Sequence, residues 1–80
     1  MSASLILTLS CEDKPGIVAR VTGNLYEAGG NIREAQQFDD SLSGKFFMRV
    51  VFDPGETGID AFRTAFAPVA DDYGMEWNMR

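Results

Sequence analysis

Leu5, Leu7 and Leu9 alternate with Ile6, Thr8 and Ser10, the period of two that turns one side of a strand toward a core. The alternation stops at Cys11-Glu12-Asp13-Lys14-Pro15-Gly16, a polar loop with a proline where a helix is expected to start. From Ile17 the period lengthens: Val18, Val21, Leu25 and Ala28 fall at helical spacing, with Arg20, Asn24 and Glu27 assigned to the outer face. Gly23 weakens that helix by about 1 kcal/mol relative to alanine, which predicts a close approach to a neighbouring backbone. Gly29-Gly30 supplies the residue type that tolerates a left-handed helix end.

Residues 31–39 predict a second strand whose Glu34, Gln36 and Gln37 suit a sheet edge. The stretch Asp39-Asp40-Ser41-Leu42-Ser43-Gly44 is turn chemistry, so an antiparallel hairpin is expected with residues 45–53. There Phe46, Met48, Val50 and Phe52 share one face and Phe47, Arg49 and Val51 the other. Pro54-Gly55 turns the chain, and Thr57 with Asp60 matches a capping box ahead of a second helix. Its stripe is Ile59, Phe62, Phe66, Val69 and Tyr73. Pro68 removes one ladder bond, but the stripe runs on, so the helix is expected to continue with local distortion. Met75, Trp77 and Met79 alternate with polar residues as a last strand. The order βαββαβ predicts an α+β, ferredoxin-like sandwich: an antiparallel four-stranded sheet with two helices on one face.

Eighty residues bound this to a single domain, 1–80, with a thin core. A pocket of roughly 300–1,000 Å³ would consume that core, so a ligand site belongs on the surface or between chains. Twelve acidic against seven basic residues give a net charge of −5, which disfavours nucleic acid. Histidine is absent, and with it the commonest general base and metal ligand. The lone Cys11 excludes an internal disulfide and reads as a small loop hydrophobe. Met1-Ser2-Ala3-Ser4 carries no basic region, and Leu5-Ile6-Leu7 is too short for a leader or a membrane span, so a cytoplasmic location is expected. The last strand reaches Arg80 without a polar tail, which reads as a chain cut from something longer.

Several candidates compete for a function. The aromatic third strand bears a loose likeness to the base-stacking strand of RNA-recognition domains, but its alternation turns most of it toward the helices. Ile6, Phe47 and Val51 on the open face read better as a subunit contact. Asp39-Asp40 and Asp71-Asp72 read as solvated surface rather than a metal or acid–base pair. The loop from Cys11 to Ile17 is different, because a helix N-terminus receives an anion. A free amino acid presents a carboxylate and an ammonium. The N–H groups of Gly16 and Ile17 suit the first, Asp13 suits the second, and Asn31 bridges both if the start of the second strand lies near this loop or its copy in a partner. The competing reading makes Asp13 a helix cap and Asn31 a turn residue, and the residues alone leave both open.

Asp13-Lys14-Pro15-Gly16-Ile17-Val18 followed by Gly29-Gly30-Asn31-Ile32 resembles the motif of ACT domains, small regulatory modules that often bind amino acids at paired interfaces. With Ala35-Gln36-Gln37-Phe38-Asp39 and Lys45-Phe46-Phe47-Met48-Arg49-Val50, the likeness is to the N-terminal domain of the formyltetrahydrofolate deformylase family. That resemblance implies a regulatory piece of a hydrolase that splits 10-formyltetrahydrofolate into tetrahydrofolate and formate for purine synthesis. It also implies a catalytic formyltransferase-like domain in the parent chain, so no catalytic residue, metal or cofactor is expected in these residues. Glycine or methionine is implied as effector, a homo-oligomer of at least two chains as the working state, and neither nucleic acid nor membrane as partner. Family sites fall on Asp13, Gly16, Ile17 and Asn31, with Glu12 and Ile32 as neighbours. Alternatives are a purely structural dimerisation module, a stand-alone regulator of the glycine-cleavage repressor type and, more remotely, an RNA-binding module.

Overall fold

A computed structural model describes residues 4–80; Met1, Ser2 and Ala3, on which the leader reading partly rests, lie outside the described residues. The elements are β1 (Leu5–Glu12), α1 (Ile17–Glu27), β2 (Asn31–Asp40), β3 (Lys45–Asp53), α2 (Ile59–Tyr73) and β4 (Glu76–Met79). The sheet order is β2-β3-β1-β4 with every neighbouring pair antiparallel, the expected ferredoxin-like arrangement. Each helix carries the chain past one strand position, so β3 lies between β1 and β2, and β1 between β3 and β4.

Alternation decides the core. Leu7, Leu9, Phe46, Met48, Val50, Phe52 and Met79 turn inward from the sheet and meet Ile17, Val21, Leu25, Phe62, Phe66, Val69 and Ala70 from the helices. Among the described residues no polar or charged residue is buried. Phe52 packs on Phe62 with ring centroids 5.0 Å apart, and Phe66 meets the edge of Trp77 at 5.0 Å. α2 runs unbroken through Pro68, as its stripe predicted. At the sheet's outer end β4 continues its pairing with β1: Ile6 N–H donates to Arg80 C=O at 2.7 Å, and Arg80 N–H donates to Ile6 C=O at 2.9 Å.

Six local expectations are corrected. Cys11 is not a loop residue but the last buried position of β1, which extends to Glu12 because both residues pair with β3. Likewise β2 runs on to Asp40, opposite Lys45. Pro15 does not open α1: Gly16 takes φ 84°, a left-handed conformation that no helix interior accommodates, so the helix starts at Ile17. Thr57 does not cap α2, whose leading residue is Gly58; the Thr57 hydroxyl is instead directed at Ala28 C=O, 3.4 Å away. Gly23 makes no close approach, since a Cβ there would meet nothing within 4 Å.

The sixth correction concerns Asn24. It leaves the outer face and lies between the helices, its Nδ2 donating to Ala65 C=O at 3.0 Å while its Oδ1 is buried without a partner among the described residues. Close approach belongs to Gly30, where a Cβ would stand 3.0 Å from Leu25 C=O, 3.1 Å from Phe52 and 3.3 Å from Phe62. That position fixes how the chain leaves α1 and enters β2.

Candidate functional site

The β1–α1 loop is anchored at its start, where Asp13 N–H donates to Gly44 C=O at 3.0 Å. Glu12 through Gly16 are exposed, and Ile17 is buried as the first core residue of α1. No side chain caps α1, and its first turn holds no acidic residue. Asp13 is therefore not the helix cap. The first N–H groups of α1 have neither a side-chain oxygen nor a carboxylate of their own helix, which leaves the positive end of the helix dipole available to an anion.

Asn31 is exposed and opens β2 opposite Asp53, whereas Glu12 closes β1 opposite Lys45. Lys45 and Asp53 are the two ends of β3, about 26 Å apart at the usual strand rise. The loop residues Glu12, Asp13, Gly16 and Ile17 thus share one end of the sheet, and Asn31 with the half-buried Ile32 shares the other. Within one chain they do not meet. The separation follows from topology, because α1 carries the chain back along the length of β1 before β2 begins.

One helix residue that the loop's own sequence did not single out stands against it. Tyr73, the last residue of α2, puts its ring 6.0 Å from the Lys14 ammonium. Its hydroxyl lies 3.8 Å from where a Cβ at Gly16 would be. One residue earlier, Asp72 accepts a hydrogen bond from Arg20 at 2.8 Å. Tyr73 was legible as a stripe residue of the second helix; only the packing of α2 beside α1 brings it to the loop.

The face away from the helices carries Ile6 and Val51 as opposite residues, with Phe47 further along and 40% exposed. Phe38, opposite Phe47 on β2, is 64% exposed and its ring centroid lies 6.4 Å from that of Phe47. It belongs to this surface, although its sequence neighbours gave no sign of that. Thr8, Gln36 and Arg49 join the two rings around a shallow depression of about 430 Å³. β2 is an edge strand nearly all of whose side chains are exposed, with a register shift at Arg33. Among the described residues no group of three or more potential metal ligands occurs, and no helix is long and apolar enough to cross a membrane.

A βαββαβ sandwich with a Pro-Gly-Ile turn into α1 and an open β2 edge is the architecture of small regulatory modules, and the family profile for the ACT domain matches residues 5–66. The chain belongs to the ACT domain family. Its strong matches are to the N-terminal part of formyltetrahydrofolate deformylases. It is 41% identical over 78 residues to the Bacillus subtilis (strain 168) formyltetrahydrofolate deformylase, covering 91% of this chain and 25% of that protein. The crystal structure of the Burkholderia mallei formyltetrahydrofolate deformylase superposes with a TM-score of 0.90 at 39% identity, over 96% of this chain and 27% of that one. The regulatory subunit of aspartate kinase from Thermus thermophilus shares the fold alone, with a TM-score of 0.76 at 23% identity over 99% of this chain and 50% of its own. The chain spans about a quarter of the length of the deformylases it matches.

Proposed function

We propose that this chain is the regulatory domain of a cytoplasmic formyltetrahydrofolate deformylase, that it pairs with a second copy through β2, and that it binds a free amino acid between the two chains. Hydrolysis of 10-formyltetrahydrofolate to tetrahydrofolate and formate then belongs to a separate catalytic domain of the parent. The observation that carries the effector site is the separation of the loop from Asn31 along the sheet. Antiparallel pairing of two β2 edges about a two-fold axis sets each Asn31 beside the partner's Asp40, at the sheet end that carries the partner's Glu12–Gly16 loop. Two copies restore what one chain divides. The carboxylate of the effector then meets the Gly16 and Ile17 N–H groups, its ammonium meets Asp13 with Glu12 nearby, and Asn31 and Ile32 of the second chain close the site. Ile6, Val51, Phe47 and Phe38 remain on the open face as a second contact surface.

Calorimetric titration with glycine and with methionine tests this, alongside sedimentation of the same samples. Heat from one amino acid that is lost in Asn31→Ala, with the dimer retained, is the expected result. A dimer that takes up neither at millimolar concentration leaves a module that only joins subunits.

A further inference from the structure

We propose that Lys14 and Tyr73 form a clasp that effector binding opens, so that occupancy of the loop is felt at the α2–β4 corner. This rests on the loop site proposed above and concerns how that site is regulated.

The clasp is the contact between the Lys14 ammonium and the Tyr73 ring, 6.0 Å to its centroid. Lys14 belongs to the exposed loop, and Tyr73 is followed directly by the left-handed Gly74 and then by Met75 and β4. The Tyr73 hydroxyl reaches over Gly16, so the ring covers both the cation and the backbone turn that sets the first N–H groups of α1. Arg20 and Asp72, joined at 2.8 Å, tie the next turn of α1 to the end of α2, but both are exposed and contribute little alone. Tyr73, which also packs against the core, is therefore a residue that joins the corner to the loop.

A carboxylate arriving at the first turn of α1 places a full negative charge beside Lys14. An ammonium prefers a carboxylate to the quadrupole of an aromatic face. Binding thus draws Lys14 off the ring and leaves Tyr73, still packed against the core, without its contact to the loop cation. Occupancy thereby registers at the corner that leads into β4. Coupling of this kind is reciprocal: if the effector must break the clasp, removing the clasp must strengthen the effector. An exposed cation–π contact corresponds to about a two- to fivefold change in affinity. Weakness suits the role, since a contact this small opens without unfolding the helix end.

The test is calorimetry with glycine and methionine on the whole 80-residue chain, wild type against Tyr73→Leu and Tyr73→Phe. The amino acid that binds wild type is expected to bind Tyr73→Leu about two- to fivefold more tightly, with Tyr73→Phe close to wild type because it keeps the ring. Proton NMR gives a second readout: the Lys14 side-chain methylene signals carry an aromatic ring shift in the free protein that is lost on binding and in Tyr73→Leu. A purely packing role predicts the opposite sign, with weaker binding in Tyr73→Leu. Unchanged or weaker binding in that variant overturns the clasp and leaves the loop site standing. No binding by wild type overturns the loop site, and the clasp with it.

Discussion

Two glycines seven residues apart make opposite predictions, and the contrast tests how the chain passes from α1 into β2. Replacing Gly30 by alanine adds one carbon that meets Leu25 C=O at 3.0 Å, Phe52 at 3.1 Å and Phe62 at 3.3 Å. None of the three has freedom to retreat. The Leu25 carbonyl accepts the Gly30 N–H at 2.8 Å, and the two rings are fully buried against each other. Overpacking of this kind costs about 1–3 kcal/mol. The smaller entropy of the unfolded alanine chain offsets about 0.4–1 kcal/mol. The net loss is about 1–2 kcal/mol, or a melting temperature lower by about 4–15 °C in a domain of this size. Gly23→Ala has the reverse sign, because its Cβ meets nothing within 4 Å and the position is mid-helix. A gain of about 0.5–1 kcal/mol raises the melting temperature by about 3–6 °C. Thermal unfolding followed by circular dichroism at one fixed protein concentration compares the variants, since pairing of chains would make the midpoint concentration-dependent. A Gly30→Ala protein as stable as wild type would refute the packing argument, and with it the claim that this turn is held by contact rather than by glycine's flexibility.

Further outcomes follow from two titrating groups. Burial pushes the Cys11 thiol above its ordinary value, with Lys14 pulling it down and Asp13 and Glu12 adding to the rise. Thiol reagents at neutral pH should label only unfolded chain; and because the folded state holds this proton more tightly, the Cys11 contribution is whole below about pH 9 and is lost as pH rises through the folded value, a slope that Cys11→Ala removes. Asp40 is displaced downward by the Ser43 hydroxyl at 2.8 Å and the Leu42 N–H at 3.1 Å. Its contribution is present above about pH 3.8 and disappears as pH falls through the lower folded value. Urea midpoints across the acid range should therefore converge for wild type and Asp40→Asn at the lowest pH and separate toward neutrality.

Five of the six elements were legible because each buries one regular face, and periods of two and 3.6 survive any tertiary arrangement. The nearly all-exposed β2 was legible instead from its edge-type polar residues and the turn after it. Residues whose role is set by a distant neighbour were not. Thr57 beside Asp60 has the spacing of a cap, yet its hydroxyl is directed across to Ala28. Asn24 looked like a surface residue until α2 supplied Ala65 as its partner. Gly23 and Gly30 exchange roles because only the packed rings of Phe52 and Phe62 decide where a side chain fits. The candidate site divides in the same way. Its loop could be read from Asp13, Pro15 and Gly16, whereas Tyr73, 60 residues beyond Asp13, comes to it only through the pairing of α1 with α2.

The joining of Ile6 to Arg80 has a mechanical meaning. β1 and β4 run antiparallel, so these two residues sit side by side at one end of the shared ladder. A force drawing them apart loads that ladder one rung at a time, as a zipper opens, instead of shearing every bond together. Only the short β4 would peel, and what resists it is Met79 in the core and Trp77 against Phe66. Tension at Arg80 is therefore taken up first at a compliant edge, before it reaches the three remaining strands.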